Sequence, residues 1–506
     1  MKNRPTLLFL IIVLTAFLPL ACLNTPQTRE PWIPPTLSAS ELIIQSASQT
    51  AASVVSSTQS PFSDADQSSD QSEYTAIQEE YIVQPNDTLK GIADMFGVSV
   101  EQIILVNNIT DPDMIYVGQV LLIPSGESLK DGPDFVIIPD SEFVNSPSAI
   151  GFNLADFVKQ QNGFITKYKE TINKKTYSGI DILQMISLNY SINPRILLAV
   201  VEYQTGWITN PAKPSEDDLL YPMGNLDEKR KGFFSQLNWA AGALNHGYYS
   251  YKVKAVSGWI LKDGTYVPIS PNINAGTAAI QHFMAQVYER VQWEKSVSAD
   301  GVYKTYVQFF GDPSAYTYQP LVPADLTQPS MTLPFEEGTT WSFTGGPHSA
   351  WGSGSAWGAL DFAPPGEPLG CVISDAWAIA VADGLIVRSE DGSVLLDLDQ
   401  DGFEQTGWVV LYLHIDSYER VPVGTYVKQN DRIGHPSCEG GVSFGSHLHI
   451  ARKYNGEWIP ADQNLPFNLD GWISEGTGIE YDGYLRRGDQ SVEAWNDYVA
   501  ENQITR

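Results

Sequence analysis

Positive charge is scarce in this 506-residue chain. Lys and Arg together number 30 against 59 Asp and Glu, so the formal net charge is -29 at pH 7. Because long-range contact with a polyanion would be repulsive, this balance excludes nucleic acid and anionic lipid as the main partner. Any attachment to a larger structure must therefore be local and specific.

The leading hydrophobic run is too short to span a membrane. Lys2 and Arg4 precede an apolar run over residues 7–18, which is the pattern of an export signal over residues 1–21. The run is shorter than the roughly 20 residues of a membrane-spanning helix, so we expect cleavage rather than permanent insertion.

Cysteine is scarce as well, with three residues in the chain. Cleavage just before Cys22 would make the chain resemble a bacterial lipoprotein, whose new N-terminal cysteine carries lipid. Pro19 stands where that family usually has leucine, so an ordinary secreted protein with a spare cysteine is the alternative. Without Cys22, Cys371 and Cys438 remain as an even pair in an oxidising compartment. We predict a disulfide between them, with two separate buried thiols as the alternative.

The length and composition predict several folded parts behind a tether. With 506 residues and 43% hydrophobic content, the chain is too long for one core and should form about three domains. Residues 22–80 are rich in Ser, Thr, Gln and Pro and contain few aromatic residues. Because such a composition cannot offset the entropy of ordering, we expect a disordered linker there.

Folded sequence is predicted to begin with residues 81–124. After a strand-like opening, Asp87 and Thr88 can cap a helix with an apolar stripe, and a second helix follows from Val100. Gly118 then turns the chain into a closing strand. From DTL through IA, FGV, NNI and VGQ to the final IP, this segment resembles a LysM domain over its whole length.

The LysM resemblance implies a βααβ fold that binds chains of N-acetylglucosamine in a shallow groove between two loops. Asn86 replaces the glycine that is common before the first loop. The positions that match the two loops are Asp87, Thr88, Leu89, Asn108, Ile109, Asp111 and Pro112. The alternative for most of them is that they only cap and pack a small α/β unit.

The centre of the chain is predicted to be helical. Residues 125–146 are a predicted linker, and residues 147–325 carry repeated apolar stripes of helical spacing. Asn193 is a natural N-cap, Pro194 a natural first helical residue, and Gly206 a natural end for the best defined of these helices.

This helix faintly resembles that of lysozyme-like transglycosylases, in which a glutamate at the helix end protonates the glycosidic oxygen. Here the matching position is Gln204, and an amide cannot donate a proton as a carboxylic acid does. Glu202 lies two positions earlier and would face another side of the helix. We therefore expect a noncatalytic domain that binds glycan or acts as a spacer, and glycosidase activity through Glu202 is the alternative. His246 and His282 have no partners at ligand spacing and are expected to be packing or surface residues.

Residues 326–475 change to strands, glycine turns and tryptophans, and they hold five of the seven histidines. In a strand, residues two apart point to the same face with Cα atoms about 6.6 Å apart, so His447 and His449 of SHLHIA share a face. A catalytic zinc ion typically has three protein ligands and leaves one place for water. His348 and Asp361 can complete this set.

These segments resemble the lysostaphin-type peptidoglycan endopeptidases, in particular the staphylolysin and β-lytic branch. The common form of that family has a zinc histidine where this chain has Trp357, whereas the longer spacing from GGPHS to LDF suits the β-lytic branch. The resemblance implies one Zn²⁺ ion with three protein ligands, namely His348, Asp361 and His449. It also implies that His447 is the catalytic histidine and that His414 is a second catalytic residue, either a donor to the oxyanion or a proton relay.

A calcium site is the weaker alternative for a further cofactor. Asp397, Asp399 and Asp401 in DLDQDG have the opening spacing of a calcium loop, but the glutamate at the twelfth position is missing. A hairpin turn between strands is the favoured interpretation.

The predicted fold class is multidomain α+β. It comprises a βααβ LysM module, an α-helical lysozyme-like middle domain and a β-rich antiparallel peptidase domain, with residues 476–506 as a C-terminal tail. These parts predict an extracytoplasmic protein, lipid-anchored to the membrane or secreted to the cell wall, that binds peptidoglycan and hydrolyses amide bonds in its peptides. A noncatalytic scaffold that binds peptidoglycan and regulates another hydrolase is the alternative.

Overall fold

The computed structural model describes residues 75–84, 87–109, 115–124, 131–366, 370–441 and 443–506. The predicted export signal, Cys22 and most of the predicted linker lie outside these residues, as do Asp111 and Pro112. Within the described part of the chain, no helix combines the length and apolar character needed to cross a membrane.

The described residues form short helices in the first two thirds and strands mainly in the last third. The α-helices are α1 (Leu89–Phe96), α2 (Val100–Asn107), α3 (Asp140–Phe143), α4 (Leu154–Gln161), α5 (Gly179–Tyr190), α6 (Pro194–Thr205), α7 (Glu216–Leu220), α8 (Phe233–Lys252), α9 (Ala275–Val287), α10 (Arg290–Ser296) and α11 (Val302–Phe310). Single 3₁₀ turns occur at Pro147–Ala149, Phe164–Thr166, Glu228–Arg230, Pro313–Tyr316 and Ala500–Asn502. The strands are β1 (Thr75–Ile82), β2 (Val120–Pro124), β3 (Lys169–Ile172), β4 (Lys175–Ser178), β5 (Gly258–Ile260), β6 (Thr265–Pro268), β7 (Thr340–His348), β8 (Ala359–Ala363), β9 (Ala378–Ile379), β10 (Gly384–Glu390), β11 (Ser393–Asp397), β12 (Trp408–Leu413), β13 (Tyr426–Val427), β14 (Arg432–Gly434), β15 (Leu448–Tyr454), β16 (Glu457–Trp458), β17 (Asn468–Leu469), β18 (Trp472–Gly476), β19 (Gly483–Arg487), β20 (Gln490–Glu493) and β21 (Gln503–Thr505).

The N-terminal module has the order β1, α1, α2, β2, and its two strands pair antiparallel. The Thr88 side chain accepts a hydrogen bond from the backbone of α1, and Ser99 caps α2 in a reciprocal box with Gln102. Both caps satisfy amide groups that the first helical turn leaves without partners. The predicted βααβ fold of this module is confirmed.

Strand β1 also joins the module to the helical domain. Its first residues, Thr75 and Ala76, pair with β6, which gives a sheet in the order β2-β1-β6-β5. Asn108 Nδ2 donates a hydrogen bond to Ala255 O over 2.6 Å. The folded chain therefore begins before residue 81, where the sequence placed the end of the linker.

The helical domain contains the predicted helix as α6. Asn193 caps its first turn, and Gly206 ends it in the left-handed region at φ 66°. Helices α8 and α9 pack closely, since a Cβ on Gly247 would lie 2.8 Å from Ala278 O. Glycine at this position lets the two backbones approach.

The helical domain also begins earlier than the predicted boundary at residue 147. Ile137, Ile138 and Phe143 are buried in its core, and Ile137 N donates a hydrogen bond to Thr277 Oγ1 over 2.9 Å. Residues 131–139 are extended rather than helical, so no helical stripe marks them in the sequence.

The C-terminal domain is built on one antiparallel sheet in the order β13-β10-β11-β12-β15-β8-β7-β21. Strand β15 lies near its centre, between β12 and β8. Successive side chains of a strand point to opposite faces, so each central strand contributes to two separate layers.

The two faces of this sheet pack against different partners. One face packs within the C-terminal domain through Val410, Tyr412, Leu448 and Ile450. The opposite face packs into the same buried cluster as α5, α6, α8 and α9 through Val409, Leu411, Leu413 and Ala451. The helical domain therefore covers one face of the sheet and shares a core with it.

Buried polar contacts fix the same interface. Tyr248 on α8 donates a hydrogen bond to Glu457 over 3.0 Å, and Lys252 pairs with the same carboxylate. Arg388 on β10 donates to Asn189 on α5 over 2.5 Å. These partners set the register of the helices on the sheet.

Residues 476–506, predicted to be a tail, are instead part of the C-terminal domain. Strands β18, β19 and β20 form an antiparallel meander, and β21 pairs with β7 at the edge of the main sheet. Ile504 is buried in the sheet core. Because these strands are three to five residues long and bury at most two residues each, their sequence shows no sustained apolar alternation.

Candidate metal centre

The candidate site lies where neighbouring strands bring polar side chains to one face of the main sheet. The register of β15 sets His449 opposite Leu413 on one side and Asp361 on the other. His348 ends β7, after a break in the ladder with β8 between Gly345 and His348. A Cβ on Gly345 would lie 2.8 Å from Asp361 Oδ2, so glycine lets β7 pass close to this carboxylate.

Three predicted ligands converge there. His348 Nε2 lies 2.9 Å from His449 Nδ1 and 3.2 Å from Asp361 Oδ1, and His449 Nδ1 lies 3.1 Å from the same oxygen. All three residues are buried. Together they form a group of the size and composition that can hold a metal ion.

Backbone acceptors orient the two imidazoles of this group. His348 Nδ1 lies 2.8 Å from Gly346 O, and His449 Nε2 lies 3.0 Å from Ala350 O. Because a carbonyl can only accept, each of these nitrogens carries a proton, and the opposite nitrogen presents its lone pair to the other ligands. Fixing the tautomer through the second nitrogen is typical of metal-binding histidines.

Asp361 supplies the charge of the site. Burial alone would raise its pKa, but the charges of the neighbouring His348 and His447 hold this pKa well below its usual range. Among the described residues, Asp361 Oδ1 is a buried oxygen without a hydrogen-bond partner. A buried carboxylate oxygen of this kind, facing two lone pairs, fits a bound cation.

The neighbouring charge also affects the histidines of the group. Burial lowers the pKa of His449. Burial also acts to lower the pKa of His348, but the charge of Asp361 and the other contacts of this ring together outweigh it, so that this pKa is raised. The carboxylate therefore favours a positive charge at this point, whether it is a proton or a metal ion.

His447 and His414 lie beside the three converging residues. His447 Nε2 is 3.6 Å from Asp361 Oδ2, and its Nδ1 is 2.8 Å from Gly445 O. The ring of His414 lies 4.5 Å from that of His447, and its Nδ1 is 3.2 Å from Glu439 O. Burial, followed by the two neighbouring histidines, lowers the pKa of His414 to about 3, so this ring is neutral near pH 7.

His414 also has an unusual backbone conformation. Its φ of 67° lies in the left-handed region, which few non-glycine residues adopt and in which asparagine, aspartate and histidine are enriched. The strand β12 ends at Leu413, and this conformation turns the next side chain toward the site. Strained backbone of this kind concentrates at functional sites.

The structure pairs Cys371 with Cys438 in a disulfide. The bond joins the segment before β9 to the segment that leads into His447. Ser446 Oγ accepts a hydrogen bond from Val372 N over 2.9 Å in the same place. These two segments beside His447, residues 370–374 on one side and 436–441 and 443–446 on the other, are called the rim. They are joined by the disulfide and by hydrogen bonds.

Two residues at the site carried no signal in the sequence. The ring of Tyr481 stacks on that of His348 at 4.2 Å, and the Glu480 carboxylate accepts hydrogen bonds from Ser349 N and Oγ. Burial and the charge of Asp361 raise the pKa of Tyr481. Both residues lie more than 130 positions from His348, in the segment taken for a tail, so no local spacing could reveal them.

The predicted LysM loop residues have structural partners. The Asp87 carboxylate accepts hydrogen bonds from Tyr81 OH and Gln84 N, both over 2.7 Å. Leu89 is buried, Ile109 packs on the small core, and Asn108 ends α2 in the left-handed region. Asp87, Thr88, Leu89, Asn108 and Ile109 therefore all cap, brace or pack the described part of this module.

In the helical domain, Glu202 is held by the turn that follows α6. Its carboxylate accepts hydrogen bonds from Ile208 N over 2.9 Å and from Thr209. Gln204 accepts a hydrogen bond from Tyr288 OH over 2.7 Å and borders a cavity of about 270 Å³. Glu202 does not line this cavity, so the geometry gives it no role as an acid there.

The remaining histidines and the aspartate turn DLDQDG are not part of the group formed by His348, Asp361 and His449. The rings of His246 and His282 contact each other at 4.8 Å between α8 and α9. His435 Nδ1 donates to Ala376 O over 2.9 Å. Asp397 lies at the start of the turn between β11 and β12 and accepts backbone hydrogen bonds, including one of 2.9 Å from Gly402 N.

Known proteins match the chain in separate segments. Residues 81–124 match the LysM domain family, and residues 136–324 match the family described as LasA, N-terminal domain. Protease LasA of Pseudomonas aeruginosa is 29% identical over 293 residues, which are 53% of this chain and 65% of LasA. The chain carries a LysM domain and is related to protease LasA. It spans less than two thirds of the length of this relative.

Other similarities are more local. The N-acetylmuramoyl-L-alanine amidase XlyA of Bacillus subtilis is 47% identical over 60 residues, 12% of this chain and 20% of XlyA. The metalloprotease pseudoalterin is 25% identical with a TM-score of 0.28, covering 34% of this chain and 97% of its own. The catalytic domain of lysostaphin from Staphylococcus simulans is 24% identical with a TM-score of 0.18, covering 25% and 88%.

The predicted LysM resemblance is confirmed by the family match, and the predicted relation to a peptidase is confirmed by the match to protease LasA. The family that matches the helical domain is the N-terminal domain of LasA. Its lysozyme-like character stays a prediction.

Proposed function

We propose that the chain is a peptidoglycan-binding zinc endopeptidase that hydrolyses amide bonds in the stem or cross-bridge peptides of the cell wall. The observation that carries this proposal is the convergence of His348 Nε2, Asp361 Oδ1 and His449 Nδ1 within 3.2 Å of one another. The relation to protease LasA supports peptide hydrolysis, and the LysM domain supports the cell wall as its location.

His348, Asp361 and His449 would hold the ion through these three atoms. Two imidazoles and one carboxylate are a donor set typical of catalytic Zn²⁺, and such a site keeps one position open. When bound, zinc lowers the pKa of a coordinated water to about 7 and polarises a peptide carbonyl.

His447 is placed to handle the proton of the attacking water. Its Nδ1 is committed to Gly445 O, so Nε2 offers a lone pair on the side of Asp361. From there it can accept a proton and return it to the leaving amine.

His414 fits a proton relay better than an oxyanion donor. Its Nδ1 donates to Glu439 O, so the neutral ring presents an acceptor at Nε2. An acceptor can receive a hydrogen bond from protonated His447 but cannot donate to an oxyanion without being protonated first.

The LysM domain would bind N-acetylglucosamine chains between its two loops. The relevant positions are those of the predicted groove, Asp87, Thr88, Leu89, Asn108, Ile109, Asp111 and Pro112. The similarity to XlyA, which is named an amidase of N-acetylmuramoyl-L-alanine, supports this ligand class. Binding to glycan would raise the effective concentration of peptides near the site.

We further propose that the protein is exported through residues 1–21 and is held at the membrane by lipid on Cys22. The helical domain would act without catalysis, because the glutamate nearest the predicted acid position is bonded to its own turn. Removal of the lipid signal by Cys22→Ala should release the protein from the membrane fraction.

The reaction is tested by digesting purified sacculi with the full-length protein and analysing the released fragments by mass spectrometry. We expect new amine termini that vanish with a zinc chelator and in a His449→Ala variant. New reducing ends that survive in His449→Ala but vanish in Glu202→Ala would instead assign glycosidase activity. A protein without stoichiometric zinc that releases no fragments would be a scaffold, as in the alternative above.

A further inference from the structure

Access to the metal centre is restricted to one side. The side chains of His348, Asp361 and His449 are at most 10% exposed and His414 is buried, whereas the side chain of His447 is 19% exposed. The helical domain covers the adjoining sheet face, and Tyr481 covers the ring of His348. A substrate therefore has to approach from the side of His447.

The rim on that side is cross-linked. The disulfide Cys371–Cys438 ties its two segments, and Ser446 N donates to Gly370 O over 3.2 Å. Ser374 N donates to Pro436 O over 3.0 Å. These links hold the backbone near Ile373 and Phe444 beside His447.

Two apolar side chains project from this rim into solvent. Phe444 is 88% exposed and Ile373 is 55% exposed. Their segments adjoin, since the sulfur of Cys371 contacts the carbonyl oxygen of Ser443 at 3.9 Å. Ser443 Oγ also lies 3.3 Å from His447 Nδ1, which places Phe444 one residue from a contact of the catalytic histidine.

The chemistry of this rim favours an uncharged, aliphatic group. Phe444 and Ile373 offer apolar surface and no hydrogen-bonding group. The nearby carboxylate of Glu439 is already paired with Arg420 at 3.0 Å and accepts from Ser417 N. A charged side chain would lose water here without gaining a partner.

We propose that Phe444, with Ile373 beside it, is a specificity-determining contact that accepts a small aliphatic side chain of the substrate next to the bond that is cut. This inference rests on the proposed endopeptidase function. Burying one methyl group is worth about fourfold in affinity, so alanine at this position should be favoured over glycine by about that factor.

The test uses the zinc-loaded full-length protein and two quenched fluorescent peptides that span the bond cut in sacculi. They differ only in carrying alanine or glycine beside that bond on the rim side. For the wild type we expect a KM about fourfold lower for the alanine peptide. In Phe444→Ala this ratio should fall to about one with kcat changed less than about twofold, and Phe444→Leu should retain part of it.

Tyr426→Ala is the matched control, because Tyr426 is also a highly exposed aromatic residue but lies on β13, four strands and about 19 Å of sheet from β15. Its ratio should equal that of the wild type. A wild-type ratio of one, or an unchanged ratio in Phe444→Ala, would overturn the inference while leaving the endopeptidase in place. A wild type that cuts neither sacculi nor peptide would overturn the proposed function, and this inference with it.

Discussion

Asp361 is the residue on which the metal centre depends most. It is a buried carboxylate between three imidazoles, and one of its oxygens has no hydrogen-bond partner in the described residues. Burying such a charge is unfavourable unless a positive group compensates it. The compensation comes in part from His348 and His447, and a divalent cation would supply it more fully.

Replacing Asp361 by Asn should remove zinc binding while leaving the fold intact. The amide keeps the volume of the carboxylate but removes its charge, so we expect a loss exceeding the 10- to 100-fold typical of losing an outer-shell partner. Competition with a chromophoric chelator measures this affinity.

Asp489→Asn is the control for Asp361→Asn, because Asp489 is an exposed carboxylate in the turn between β19 and β20. It should bind zinc like the wild type. Equal zinc affinity in Asp361→Asn and Asp489→Asn would mean that the carboxylate is not a ligand.

At the scale of single residues, the sequence identified candidate side chains where their chemistry follows from their spacing along the chain. The alternation in SHLHIA placed His449 on a defined face, and the resemblance to a peptidase branch selected His348 and Asp361. Tyr481 and Glu480 were missed because their contacts with His348 and Ser349 depend on how distant strands pack. For Leu89 the sequence left two roles open, a groove position and packing, and the structure shows it buried in the small core.

Among the secondary-structure elements, a buried charge cluster joins β10, β15 and the turn that leads into β12. The Glu404 carboxylate lies 3.2 Å from Arg388 Nη2 and 2.8 Å from Lys453 Nζ. Burial would raise the pKa of Glu404, but the two cations hold it below its usual range. Burial, and to a smaller extent the positive charge of Arg388, lower the pKa of Lys453 despite this partner.

Glu404→Gln should destabilise the protein by about 3 kcal/mol at pH 7, because it leaves two buried cations without a counter-charge. A depressed carboxyl pKa contributes stability above the unfolded pKa, and this stability is lost as pH falls through the folded pKa. The difference between wild type and variant should therefore shrink below about pH 4.5. Urea unfolding at pH 7 and pH 4 measures it, and a difference that does not depend on pH would contradict the assigned charge of Glu404.

Helix caps and turns account for the elements that the sequence predicted well. Thr88, Ser99 and Asn193 each start a helix, and Gly206 ends one, as their side chains or backbone freedom require. The strands after residue 476 were not predicted, because short exposed strands bury too few side chains to show a period of two. Their place in the fold is set by pairing partners such as β7, which pairs with β21 from more than 160 residues earlier.

At the scale of the whole molecule, the helical domain and the sheet are parts of one folded unit. Val409, Leu411 and Ala451 of the sheet lie in the same buried cluster as Leu197, Leu244 and other core residues of the helices. The sequence predicted both parts but treated the helical part as a separate domain that binds glycan or acts as a spacer. An apolar face on a strand shows that something covers it, and only the tertiary structure shows what does.

Leu411→Ala should therefore destabilise the helices as well as the sheet. Leu411 is 1% exposed in the shared core, and truncating such a side chain costs about 2–5 kcal/mol. Since the core spans both parts, amide hydrogen exchange measured by mass spectrometry should accelerate in α8 by about the same factor as in β12. Val423→Ala, at an exposed valine outside both cores, should leave both rates unchanged. Faster exchange in β12 with unchanged protection in α8 would show that the helical domain holds its structure without the sheet, and the two would then be separate folding units in contact.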